Sequence, residues 1–129
     1  MANTICWFDL AVKDLERARK FYSKVLDKPL EIVEHSGFTM VVFPHDEKED
    51  GSCHDVAGCL YQKDDFVPNT SDLLIYFDVN KKIHQAVEAV TANGGKVVLP
   101  IEPIGPWGFK AVILDSEGNK VALHAMQEK

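Results

Sequence analysis

A chain of 129 residues, 46% of them apolar and 26% charged, has the length of one packed domain and the composition of an ordinary globule. Its formal net charge of -6, with only two arginines and twelve lysines, excludes the basic face that displaces counterions from nucleic acid. No stretch is apolar for long enough to span a bilayer, and the opening MANTICWFDL lacks the basic-then-apolar pattern of a secretory leader.

Cys6, Cys53 and Cys59 cannot all pair within one chain, so reduced thiols in a cytoplasmic setting are expected, each serving as a small hydrophobe rather than a nucleophile. In chain order, Thr4 to Val12 reads as a strand. Asp14 follows as a helix N-cap, with Leu15, Ala18, Phe21, Tyr22, Val25 and Leu26 at helical spacing behind it. Pro29 ends that helix, because the residue before a proline is driven out of the helical region. PLEIVEHSG and FTMVVFPH read as two strands turning at Ser36-Gly37. After the charged loop DEKEDGSCHD, VAGCLYQKD reads as a fourth strand.

The same order then recurs. DLLIYFDVN reads as a strand, and Ile83, Ala86, Val87 and Val90 form a helical stripe ending at ANGG, where Gly94 or Gly95 supplies the left-handed cap. KVVLPIEPIG, WGFKAVILD and KVALHAMQE supply three more strands, the last two joined by the turn DSEGN. Placing Val12 over Val79 aligns WFDLAV with LIYFDV, and one inserted residue then aligns Ala18 with Ala86. An internal repeat of about half the chain is expected from this agreement.

Two βαβββ modules, one opened by Val12, Asp14, Leu15, Arg17, Ala18, Phe21 and Tyr22, the other carrying Asp115, Glu117, Gly118 and Asn119 before its last strand, resemble a known superfamily. It is the vicinal oxygen chelate superfamily, which includes glyoxalase I, extradiol dioxygenases, and bleomycin- and fosfomycin-resistance proteins. The resemblance runs from Ile5 to about Met126. It implies an α+β fold, with modules at about residues 4–65 and 72–128 forming a curled, partly closed eight-stranded mixed sheet around a cavity. A single domain over residues 1–129 follows, built of repeats 1–66 and 72–129, and a homodimer is expected. Function stays open, since this fold hosts isomerases, oxygenases and plain binding proteins.

Members that bind a divalent metal place ligands on the first and last strands of each module. The matching positions here are Trp7, Leu74, Ala122 and, with loop length leaving the match loose, Cys59 or a neighbour. Indole, isobutyl and methyl groups do not ligate such ions, so no metal and no other cofactor is expected. The opening ICWFDLAVKD and closing EGNKVALH instead resemble a glyoxalase-related subgroup that lacks the ligand set.

Strand alternation groups Trp7 with Ile5 and Asp9, Leu74 with Asp72, Tyr76 and Asp78, and Ala122 with Lys120, His124 and Met126. The expected cavity has aromatic walls at Trp7 and Tyr76, a small floor at Ala122 and Cys59, and polar groups at Asp9 and His124, with Trp107 closing one end. That mixture suits a small organic molecule, aromatic or cationic. The bland readings are a filled core around Trp7 and Tyr76, and a structural His124 bonded to a carbonyl or to Asp9.

The competing reading is a lyase or isomerase of a carbonyl compound, with His124 and Asp9 as its catalytic pair or with an atypical metal site. A third possibility is a filled module that serves association with another protein. The His45, Cys53, His54 and Asp55 loop matches no compact zinc spacing and reads as solvated, with a lid as the alternative. His84 reads as a surface residue, and His35, at a strand end beside a turn, carries no evident message. There is no phosphate-binding glycine loop and no nucleophile elbow.

Overall fold

The structure, a computed structural model, describes residues 4–44, 56–79 and 82–128. The loop carrying His45, Cys53, His54 and Asp55 lies outside the described residues. The first module runs β1 (Trp7–Val12), α1 (Leu15–Leu26), β2 (Ile32–His35), β3 (Phe38–Val42) and β4 (Ala57–Gln62). The second runs β5 (Tyr76–Asp78), α2 (Ile83–Ala92), β6 (Lys96–Pro103), β7 (Phe109–Leu114) and β8 (Lys120–Ala125). The βαβββ order therefore occurs twice.

The eight strands form two four-stranded sheets, ordered β1-β4-β3-β2 and β5-β8-β7-β6, rather than one hydrogen-bonded surface. In each, the first strand of the module lies parallel to its last, and the other pairings are antiparallel. β1 and β5 are therefore both edge strands. This arrangement creates the cleft described below.

Local signals act where the sequence places them. The Asp14 side chain caps α1 by accepting from the Arg17 backbone N–H at 3.0 Å. Gln62, at the end of β4, satisfies another free amide of the first turn, that of Leu15, at 3.0 Å. The helix stops at Asp27 in the left-handed region (φ 53°), two residues before Pro29. At the end of α2, Gly94 rather than Gly95 takes the left-handed turn (φ 93°), and the Gly95 N–H returns to the Val90 carbonyl at 2.8 Å. Ser36 and Gly37, both at positive φ, make the two-residue turn between β2 and β3.

Burial alternates along β1 and β5. Leu10, Val12, Phe77 and Val79 pack toward the helices, where Leu15, Ala18, Phe21, Tyr22 and Val25 meet Ile83, Ala86 and Val90. An aromatic group crosses the module boundary: Phe77 of the second module packs on Phe8, Tyr22 and Phe43 of the first, with ring centroids 5.1–5.8 Å apart.

A polar latch joins the modules as well. Glu117, in the β7–β8 turn, accepts from the backbone N–H groups of Lys13 and Asp14 at 3.1 and 2.8 Å. It also takes two hydrogen bonds from the Arg17 guanidinium, at 2.7 and 2.8 Å. Asn119 donates to the Ala11 carbonyl at 2.9 Å and accepts from the Asn69 backbone at 2.8 Å. Asp115 receives the Tyr22 hydroxyl at 2.6 Å. The two sequence signatures, one per module, are thus the two halves of a single buried contact.

Candidate functional site: the cleft between the edge strands

Because neither β1 nor β5 has a partner across the module boundary, consecutive residues of both open onto one cleft of about 790 Å³. That volume falls in the usual range of roughly 300–1,000 Å³ for small-molecule sites. Trp7 to Ala11 form one wall and Leu73 to Asp78 the other, with Phe43 and Pro44 between them. Trp7 and Tyr76 keep 44% and 47% of their surface exposed, so they are walls of an open cleft and not the contents of a filled core.

Of the residues singled out by sequence, Trp7, Asp9, Leu74 and Tyr76 line this cleft. Cys59 does not line it but sits buried behind Asp9, to which it is paired in register on the parallel strand β4. Ala122 is fully buried between Tyr76 and Val112, its neighbours on the flanking strands of the second sheet, and does not line the cleft. Trp107 lies in the short helical turn Gly105–Trp107 before β7, largely exposed and away from the cleft. His124, on β8 between Asp78 and Lys110, bonds through Nε2 to the Trp107 carbonyl at 2.6 Å.

The bond considered between Asp9 and His124 is not made. Asp9 belongs to the first sheet and His124 to the second, and each has its own partners. Oδ1 of Asp9 accepts from the Trp7 indole N–H at 2.8 Å and from the Cys59 thiol at 3.3 Å. Burial first, and then the hydrogen bond and charge of Asp9, push the Cys59 thiol up to about 12, so it remains a neutral donor.

Among the lining residues that sequence reasoning missed are Lys28, Phe43 just past β3, and Asn119. Asn119 had a legible signal, a buried amide inside the DSEGN turn, but turn propensity alone explained its presence there. Lys28 had none. It faces the cleft because the left-handed Asp27 swings the chain across it.

A divalent ion does not fit the positions the superfamily uses. Trp7 offers only an N–H donor already turned to Asp9, Leu74 and Ala122 offer no ligating atom, and Cys59 alone does not make a site. Among the described residues no three histidine, cysteine or carboxylate side chains converge elsewhere. Among the described residues, no helix is long and apolar enough to cross a membrane.

A hypothetical protein from S. aureus is 20% identical, with a TM-score of 0.64 over 97% of this chain and 95% of its own. The genomically encoded fosfomycin resistance protein FosX from Listeria monocytogenes is 19% identical, with a TM-score of 0.65 over 97% and 94%. The E144Q mutant of glyoxalase I from Zea mays is 22% identical, with a TM-score of 0.66 over 94% of this chain but only 46% of that longer one. No curated protein matches the chain in sequence. The profile of the Glyoxalase/Bleomycin resistance protein/Dioxygenase superfamily matches residues 4–123, nearly the whole chain. The chain belongs to that superfamily.

Proposed function

We propose that the protein binds a small organic molecule in the cleft between β1 and β5, without the divalent metal on which many members of the superfamily depend. The observation that carries this reading is the pair of half-exposed aromatic walls, Trp7 and Tyr76, on either side of a cavity of about 790 Å³. Flat apolar walls with a few polar groups favour an organic ligand with a ring, which gains from stacking and from the burial of apolar surface. The ligand positions, filled by Trp7, Leu74 and Ala122, support the metal-independent part of the reading.

A cytoplasmic, homodimeric protein completes the proposal. The net charge of -6 supports a small-molecule partner over a nucleic acid.

The test is a thermal-shift screen against a metabolite and antibiotic library, run with and without chelator. The proposal expects compounds that raise the melting temperature equally in both conditions, and that lose the effect in Trp7→Ala with Tyr76→Ala. A binding constant of one hundredth of the ligand concentration corresponds to about 2.7 kcal/mol of stabilisation, well within reach of such a screen. Stabilisation that vanishes with chelator, or that survives loss of both aromatic walls, contradicts the proposal.

A further inference from the structure

The cleft reading leaves the charge of the ligand open, and the surroundings of Asp9 address it. The carboxylate lies on the exposed face of β1 and lines the cleft. One oxygen, Oδ1, is held by two donors, the Trp7 indole N–H at 2.8 Å and the Cys59 thiol at 3.3 Å. The other oxygen, Oδ2, receives no hydrogen bond from any described residue. Both donors are neutral, so the negative charge of Asp9 is oriented but uncompensated.

The lysine nearest in kind, Lys28, also lines a smaller hollow of about 120 Å³ with Lys24, Asp27 and Lys82, which places it at the α1–α2 end of the cleft. The indole N–H of Trp7 lies against Asp9, and a second carboxylate, Asp78 on β5, also lines the cleft. A carboxylate fixed at the edge of an aromatic face, with one oxygen available, is a receptor for an N–H-bearing cation. The ammonium group donates a charge-assisted hydrogen bond to Oδ2. An anion in the same place meets repulsion from Asp9.

We infer that the cleft selects a protonated organic amine carried by a flat ring, with Asp9 as the charge-selecting residue and Cys59 as a positioning residue behind it. The inference rests on the cleft reading and sharpens it to a ligand class. Cys59 acts through Asp9: its thiol fixes Oδ1, so that Oδ2 points to the ligand without having to be ordered on binding. A neutral thiol can do this without cancelling the charge. Its ionisation, raised by burial and by Asp9, keeps it neutral through the physiological range.

The test compares benzylamine, cationic at neutral pH, with benzyl alcohol, neutral and of similar shape, by NMR chemical-shift titration of the wild-type protein. The inference expects the amine to bind about tenfold more tightly, the difference between a charged and a neutral hydrogen bond. In Asp9→Asn that preference disappears. Cys59→Ala reduces the preference and Cys59→Ser, which keeps a donor, restores it; a merely structural Cys59 would lower both affinities together.

Equal binding of the two probes by the wild type, or a preference that survives Asp9→Asn, overturns the inference and leaves the cleft reading standing. Binding of neither probe overturns both. If Asp9→Asn does not fold, the wild-type comparison and the Cys59 pair decide the matter.

Discussion

Glu117 shows how much one side chain carries. It is buried, yet it satisfies two backbone amides, both arms of Arg17 and the Ser116 hydroxyl. Burial pushes its carboxyl up, but Arg17, the Asp14 amide and Ser116 outweigh that and hold it below its ordinary value. Glu117→Ala leaves these donors without an acceptor and is expected to cost about 2–4 kcal/mol, measured by urea denaturation. The pH response follows from the direction of the shift. A depressed folded value means that Glu117 contributes stability above its unfolded value of 4.5 and loses it as pH falls through the lower folded value. Asp115 has the opposite sign: burial raises it despite the donors Tyr22, Asn119 and the Glu117 amide, so folding takes up a proton there as pH falls. Denaturation across the acid range is therefore expected to show a shallower loss of stability in Glu117→Gln than in the wild type; an unchanged slope would mean the carboxylate is not the sensor. Cys59 gives an independent check. With its thiol buried and pushed to about 12, iodoacetamide at pH 8 is expected to label the exposed Cys6 and to spare Cys59 in the native protein, as read by peptide mass spectrometry.

At the scale of elements, two glycines separate backbone strain from crowding. Gly37, in the β2–β3 turn at φ 83°, has open space where a Cβ would lie, so Gly37→Ala costs only the left-handed backbone, about 1–2 kcal/mol. Gly58, in β4, has no such φ, but a Cβ there would sit 2.3 Å from the Phe8 ring, and displacing that ring disturbs its contact with Phe77. Gly58→Ala is expected to destabilise by about 1–3 kcal/mol, and, unlike Gly37→Ala, to change the near-ultraviolet circular dichroism of the aromatic group. Helix α1 was legible from Asp14 to Leu26 because capping and periodicity are local properties of the chain. The turn at Ser36-Gly37 was legible for the same reason. Strand β5 was less so. DLLIYFDVN reads as one long strand, but only Tyr76, Phe77 and Asp78 pair with β8. Leu73 and Leu74 leave the ladder and line the cleft, and no local propensity reports whether an apolar residue faces a sheet neighbour or a void.

For the whole molecule, the repeat was visible because both modules must bury the same stripes, and the two signatures were visible because they meet across the module boundary. The separation into two sheets was not, since whether β1 and β5 bond to each other or part to leave a cleft depends on side chains from both modules, Phe8 and Phe77 among them. Trp7, Asp9, Leu74 and Tyr76 all line the cleft, but so do the residues between them, so strand alternation does not by itself account for their placement. The same rule grouped Ala122 and His124 with them, but alternation gives the face and not the distance along the sheet. Those two lie on β8, one strand removed from the opening.

The central claim is that this opening is a binding site, and Trp7 reports on it directly. In a Trp107→Phe background Trp7 is the remaining indole, and its emission can be titrated with each compound that stabilises the fold. A saturable change in Trp7 emission, with a midpoint matching the thermal stabilisation by the same compound, is the predicted result. Trp7 emission that ignores every stabilising compound would contradict it.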